Sequence, residues 1–289
     1  MWFDTVQNKS LKNMKKNVFN LYFYKDEPNF GDALNLCLLQ TLFGVDIKYE
    51  DIKKCDCVCI GSLLQLLVVP PLSFRNKIKR FFAHRIAIWG TGFINQAPEF
   101  PHTLSRKTRI YALRGKISLA RMQKYTKRRL RNVVLGDPGL LANRLIDTKK
   151  IEKKYKLGII PHYVDKNNPL LDNINVEQSV IIDVQKPVME VLVQIAQCEN
   201  IISSAMHGLI VADSLGIPNA RMILSDKIVG GNYKFQDYYS AFDMEMPPPL
   251  IMTPDTHITN VDFIKQEYGV SSEKIEQICQ KLLKVFPYK

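Results

Sequence analysis

The chain has 289 residues, 46% hydrophobic and 24% charged, a composition that excludes disordered and fibrous classes. Lys and Arg outnumber Asp and Glu by 40 to 28, a net charge of +12, and the length suits two modest domains better than one core. No apolar run reaches the ~18–20 residues of a membrane span. Residues 1–17 carry lysines with no apolar block behind them, so no secretory signal is expected and the chain is read as cytoplasmic.

Short apolar runs alternate with helical patterns. A strand is predicted over 18–24, then a helix over 34–43 with Leu34, Leu38 and Leu42 on one face. Further strands are predicted over 57–60, 85–89, 109–113 and 133–135, with a basic helix over 117–131. In a helix over 74–82, Phe74, Ile78, Phe81 and Phe82 share a face, with Arg75, Lys77, Lys79 and Arg80 elsewhere. Such a helix either packs its stripe on a sheet or meets a membrane surface. The lysine-rich stretch 148–155 divides the chain into units 1–148 and 149–289. Beyond it, strands are predicted over 156–161, 179–184, 200–203 and 222–224, and helices over 188–197 and 206–215. Three prolines at 247–249 precede a C-terminal helix over 272–286, N-capped by Ser271 or Ser272. This alternation implies an α/β protein with parallel sheets.

The charge is not evenly spread. Residues 1–150 hold 27 basic and 11 acidic side chains, net +16, and residues 151–289 are net −4. The basic half therefore faces an anionic partner: nucleic acid, an acidic membrane or a phosphorylated substrate. The six cysteines show no C-x-x-C spacing, which argues against zinc or a redox dithiol. Cys55, Cys57 and Cys59 alternate, and in a strand they would share one face as small apolar residues.

Ligands of parallel sheets bind beyond the carboxyl ends of the strands, and four such loops stand out. In Asn29-Phe30-Gly31-Asp32 the aspartate is either an N-cap or a catalytic group. In Gly90-Thr91-Gly92 two glycines would let backbone amides approach an anion. In Gly136-Asp137-Pro138-Gly139 the aspartate is read first as stabilising a turn. In Ser203-Ser204-Ala205-Met206-His207-Gly208 a strand ends in two hydroxyls and a histidine opens a helix, an arrangement suited to an anion and to proton transfer. Arg114 follows a strand toward the same sheet edge, where a guanidinium suits carboxylate or phosphate, and His162 ends the first strand of the second half.

Taken in order, these loops resemble the polysaccharide pyruvyl transferase family. The resemblance also draws on Leu113-Arg114-Gly115, Pro161-His162-Tyr163-Val164-Asp165 and Gly216-Ile217-Pro218, and spans about residues 29 to 218. It implies two Rossmann-like domains of glycosyltransferase-B-like architecture with a C-terminal helix. It also implies transfer of a pyruvyl group from phosphoenolpyruvate to two sugar hydroxyls, forming a cyclic ketal. The acceptor would be a precursor of a surface polysaccharide, exopolysaccharide or capsule, typically lipid-linked at the cytoplasmic membrane face.

On that resemblance His207 would be the acid or the partner of the leaving phosphate. Ser203, Ser204 and the helix end would hold the phosphate, and Arg114 the donor carboxylate or phosphate. Asp32 would orient or deprotonate the acceptor, with Asn29, Gly31, Thr91, Asp137 and His162 as further binding residues. No cofactor or metal is required beyond the donor substrate. Many relatives carry an arginine two positions before the histidine and others a small or apolar residue; this chain has Ala205, so Arg114 or another basic residue would have to compensate. The glycine-rich turn after the second strand is reduced to Gly61-Ser62.

Two other readings compete. One is a glycosyltransferase of similar architecture using a nucleotide sugar. The other is a basic nucleic-acid-binding protein contacting its partner through 75–80 and 124–131, although no nucleic-acid motif is present. The broad positive surface is assigned to the acceptor on an acidic membrane, so neutralising it should weaken acceptor use more than donor binding.

Overall fold

The computed structural model describes residues 18–96, 102–127 and 129–288. The stretch 1–17, where no signal is expected, lies outside the described residues, as does Arg128 of the basic cluster. The first half runs β1 (Val18–Tyr22), α1 (Phe30–Phe43), β2 (Asp46–Tyr49), β3 (Cys57–Val58), β4 (Val68–Val69), α2 (Phe74–Phe82), β5 (Ile86–Trp89), β6 (Thr103–Leu104), β7 (Thr108–Leu113), α3 (Lys116–Tyr125) and β8 (Val134–Leu135). The second runs β9 (Tyr155–Ile160), β10 (Ser179–Ile181), α4 (Val188–Ala196), β11 (Cys198–Ser203), α5 (Met206–Ser214), β12 (Asn219–Ile223), α6 (Tyr233–Ser240), β13 (Leu250–Ile251), α7 (Asp262–Glu267) and α8 (Ser272–Lys284).

Two parallel sheets result, ordered β2-β1-β3-β5-β7-β8 and β10-β9-β11-β12-β13, with β4 and β6 forming a separate antiparallel pair. In each large sheet the winding reverses once, between β1 and β3 and between β9 and β11. Loops leaving neighbouring strands at such a point diverge to opposite faces and leave a crevice.

Both crevices open toward each other because the halves share a core. Phe30 and Leu34 of α1 belong to one buried apolar cluster with Ile195 of α4 and Leu209 of α5. The Phe30 amide donates to the Val184 carbonyl at 2.7 Å, pinning the first turn of α1 to the second half. Ser271 caps α8, its hydroxyl accepting from the Lys274 amide at 3.4 Å. Although last in sequence, α8 packs on the first sheet: Trp89 Nε1 donates to the Leu282 carbonyl at 3.2 Å, and the ring of Phe286, just beyond α8, stacks on Phe43.

Three expectations change. The basic helix predicted over 117–131 ends at Tyr125. Cys57 and Cys59 do pack together, 3.4 Å apart, but Cys55 precedes the strand and lies in a separate core cluster. The stripe of α2 is not packed on a sheet. Phe74 is 80% exposed, Phe81 65% and Phe82 79%, and no residue of the helix is buried. Among the described residues, no helix is long and apolar enough to cross a membrane.

Candidate active site

A cavity of about 420 Å³ occupies the crevices. Each of the four strands at the winding reversals supplies a wall: Asn29, Gly31 and Asp32 beyond β1, Gly61 and Ser62 beyond β3, His162 and Tyr163 beyond β9, and Ala205 through Gly208 beyond β11. Lys234 of α6 completes it.

Asp32 is the third residue of α1, not its N-cap; that position falls to Asn29. The Asn29 amide Nδ2 donates to Asp32 Oδ2 at 2.8 Å, which aims the carboxylate rather than capping the helix. Burial pushes the Asp32 carboxyl up to about 6, against opposing hydrogen bonds from Asn29 and the Tyr24 backbone. The group therefore exchanges its proton near neutrality, as a general base must.

His207 is the second residue of α5, and its side chain is 13% exposed. Its Nε2 lies 4.0 Å from Asp137 Oδ2, and neither buried atom has a hydrogen-bond partner. Burial, with the positive charges of Arg114 and Lys234, holds the imidazole down to about 3. Burial raises the Asp137 carboxyl to about 6. Without ligand the pair thus avoids the imidazolium–carboxylate form. Asp137 is fully buried behind His207 and also caps the following turn, its Oδ1 accepting from the Gly139 amide at 2.9 Å. It meets the histidine and does not line the cavity, although it is expected from the resemblance as a binding residue.

Gly31 is required by His207. A Cβ at position 31 would fall 1.9 Å from His207 Nδ1, so only glycine lets α1 approach the ring this closely. Gly31→Ala is expected to displace the imidazole, costing about 1–3 kcal/mol of stability by overpacking and a larger share of turnover. Thermal unfolding and steady-state rates measured on the same preparation check this.

Four other expected ligands are supports. Arg114 is fully buried, its Nε 3.0 Å from Asp237 Oδ2, its Nη1 donating to Ser62 Oγ at 2.7 Å and its Nη2 to the Phe93 carbonyl. Three of its five N–H donors go to protein groups, and the buried guanidinium does not line the cavity but steadies Ser62, which does. Gly92 makes room for that guanidinium: a Cβ there would lie 2.4 Å from Arg114 Cζ. Thr91 Oγ1 donates to the Gly61 carbonyl at 2.7 Å and accepts from the Leu63 amide, shaping the loop beyond β3 instead of binding an anion. Ser203 Oγ bonds the Ile160 carbonyl at 2.9 Å and the Ala205 amide at 3.0 Å, closing the turn into α5. Ser204 Oγ accepts from the His162 amide at 2.8 Å, tying β11 to β9.

His162 does line the cavity, its Nδ1 accepting from the Val164 amide at 3.4 Å. Burial and the charge of Lys234 hold it down to about 4. Among the described residues, no group of three or more His, Cys, Asp or Glu side chains is placed to hold a metal ion. Lys234 carries no motif in the sequence. A lysine in the first turn of a helix, where the dipole favours anions, is the one local sign that it serves something else.

Two parallel sheets whose winding reversals converge on buried acid–base groups define an α/β enzyme. The chain belongs to the polysaccharide pyruvyl transferase family, whose model matches residues 29–224. It is 31% identical over 241 residues to uncharacterized protein L143 of Acanthamoeba polyphaga mimivirus, covering 82% of this chain and 78% of that one. It is 24% identical over 230 residues to the succinoglycan biosynthesis protein ExoV of Rhizobium meliloti (strain 1021), covering 78% and 66%. A crystal structure of an uncharacterized Klebsiella pneumoniae protein matches with TM-score 0.43 at 14% identity, over 81% of this chain and 93% of that chain. The enzyme is a polysaccharide pyruvyl transferase, and its reaction is pyruvyl transfer in polysaccharide biosynthesis. Family membership sets aside the glycosyltransferase and nucleic-acid readings.

Proposed function

We propose that the enzyme transfers pyruvate from phosphoenolpyruvate to two hydroxyls of one sugar, releasing phosphate and leaving a cyclic ketal. The observation that carries this is the pairing of two acid–base sets across one cavity: Asp32 on α1, and His207 backed by Asp137. The two large sheets are taken as Rossmann-like domains of glycosyltransferase-B type, with the cavity in the cleft between them.

The chemistry matches those groups. Protonating the methylene carbon of the donor makes its neighbour an oxocarbenium-like centre, and in this reading His207 gives that proton. A sugar hydroxyl attacks this centre and gives its proton to Asp32. The carbon–oxygen bond to phosphate breaks, the electron pair leaves with phosphate, and the second hydroxyl closes the ring as its proton passes to phosphate. Incubation with phosphoenolpyruvate and galactose- or mannose-containing acceptors, followed by mass spectrometry, tests the reading. A pyruvyl mass gain matched by phosphate release is expected; hexose addition from a nucleotide sugar would sink it.

The acceptor is proposed to be a lipid-linked precursor at an anionic membrane face. Helix α2 supports this by exposing Phe74, Phe81 and Phe82 together with Arg75, Lys77 and Lys79, while Arg80 is half-buried against Thr103. Aromatic side chains suit the headgroup boundary, and each basic residue near an anionic surface adds about 1 kcal/mol. Wild type should co-sediment with anionic phospholipid vesicles and not with phosphatidylcholine vesicles. The double variant Phe81→Ser, Phe82→Ser should stay in the supernatant; undiminished sedimentation of that variant rules out the contact.

A further inference from the structure

Gly61 and Ser62 form the turn beyond β3, and its backbone is held on both sides. Thr91 Oγ1 and the Gly92 amide donate to the Gly61 carbonyl, at 2.7 and 3.2 Å. The Gln65 side-chain amide donates to the Ser62 carbonyl. Gly61 has φ +118°, a left-handed conformation that suits glycine and lets the chain turn along the cavity wall. The Ser62 side chain is fixed from behind. Arg114 Nη1 donates to its Oγ at 2.7 Å, and the Nε of that guanidinium lies 3.0 Å from Asp237 Oδ2. Asp237 in turn accepts from the amide and the hydroxyl of Ser118, at 2.8 and 2.6 Å. Arg114, Ser118 and Asp237 are all fully buried, so this chain of bonds starts in the core and ends at one hydroxyl in the cavity wall.

A guanidinium can only donate, so Ser62 Oγ is the acceptor in that contact and its own proton points elsewhere. Among the described residues, no protein group accepts that proton. The cation behind the oxygen polarises the hydroxyl and strengthens it as a donor. The turn also lies alongside Asp32: a Cβ at position 61 would stand 3.7 Å from Asp32 Oδ1, while Asn29 occupies Oδ2. One stretch of wall thus offers a carboxylate oxygen that accepts and a fixed hydroxyl that donates. An anion is disfavoured beside the ionised carboxylate, whereas two neighbouring hydroxyls of one neutral molecule satisfy both groups.

We propose that Ser62 is an acceptor-positioning residue that selects a sugar diol. Its hydroxyl donates to the oxygen of the second sugar hydroxyl, the one that closes the ring, while Asp32 takes the proton of the first. Asp237 and Arg114 act through Ser62 by fixing the direction of that bond. This rests on the reading that two hydroxyls of one sugar are joined as a ketal.

The test is NMR titration of wild type, Ser62→Ala and Ser62→Thr with methyl galactoside, methyl mannoside and their monodeoxy analogues, alongside calorimetric titration with phosphoenolpyruvate. A hydrogen bond between uncharged groups is worth about 3- to 10-fold in affinity, and wild type should lose that much at one deoxy position. Ser62→Ala should bind the parent glycoside correspondingly more weakly and no longer distinguish it from that analogue. Ser62→Thr keeps the hydroxyl and should still distinguish them. Ser62→Ala also leaves an Arg114 N–H without its acceptor and should melt lower than wild type. A purely structural loss, however, would weaken every glycoside alike and leave the discrimination intact. Affinity for phosphoenolpyruvate should change by less than about twofold, as for a site with no shared partner. Undiminished discrimination in Ser62→Ala, an equal loss toward phosphoenolpyruvate, or no binding of either glycoside by wild type overturns the proposal. Discrimination through Ser62 without pyruvyl transfer to any acceptor supports the positioning role and refutes the ketal reaction instead.

Discussion

A His207→Ala variant is expected to lose about 10²–10⁴ in kcat, the usual contribution of a positioned general acid, while its KM for phosphoenolpyruvate changes far less. The split follows from the geometry. The ring reaches the cavity from the second position of α5, but the helix-end amides expected to hold the phosphate are backbone groups, which the substitution leaves in place. In the empty site the imidazole is held neutral at about 3, so it acts as an acid only when the donor brings negative charge beside it. Asp137, 4.0 Å behind, then becomes the counter-charge of the imidazolium. Asp137→Asn should keep the turn, because an amide oxygen can still accept from the Gly139 amide, but it loses that counter-charge. Its kcat should fall less than that of His207→Ala. A His207→Ala enzyme with full turnover would remove the histidine from the chemistry while leaving the family membership intact.

The second large effect belongs to Asp32. As a base it must be ionised, and burial sets its ionisation at about 6, so kcat/KM should fall about tenfold per pH unit below that value. The sign is fixed by the role: a carboxyl raised by burial is protonated on the acid side and cannot accept the hydroxyl proton. Asp32→Asn keeps the contact with Asn29 through its side-chain oxygen but has no base, and should lose about 10²–10⁴ in kcat. Its residual activity should vary less steeply with pH between 5 and 7, a span about one unit either side of that ionisation, with Asp137, also raised to about 6, still titrating there. Full turnover in Asp32→Asn would show that Asp32 is not the base.

Much of this site was legible in the chain order of its loops. Turn-forming glycines and polar residues after short apolar runs mark the carboxyl ends of parallel strands, and Asn29, Gly31, Asp32, His162 and His207 are indeed brought to one cavity. Local chemistry could not say which polar residues face the ligand and which hold the walls. Ser203, Ser204, Thr91 and Arg114 have the right chemistry for an anion, but each finds a partner far along the chain: Ile160, His162, Gly61 and Asp237. Helix α6 was not anticipated from periodicity, and with it Lys234 was invisible as a site residue.

The sequence by itself determined the α/β class, the family, and the histidine and aspartate that the fold brings to one cavity. It did so because strand–loop–helix units write their glycines, caps and apolar periods locally. Only the tertiary structure decided that Lys234 lines the cavity and that Arg114 is internal. The charge of a buried group depends on which partners the fold sets around it, and for Arg114 that partner, Asp237, lies 123 residues along the chain.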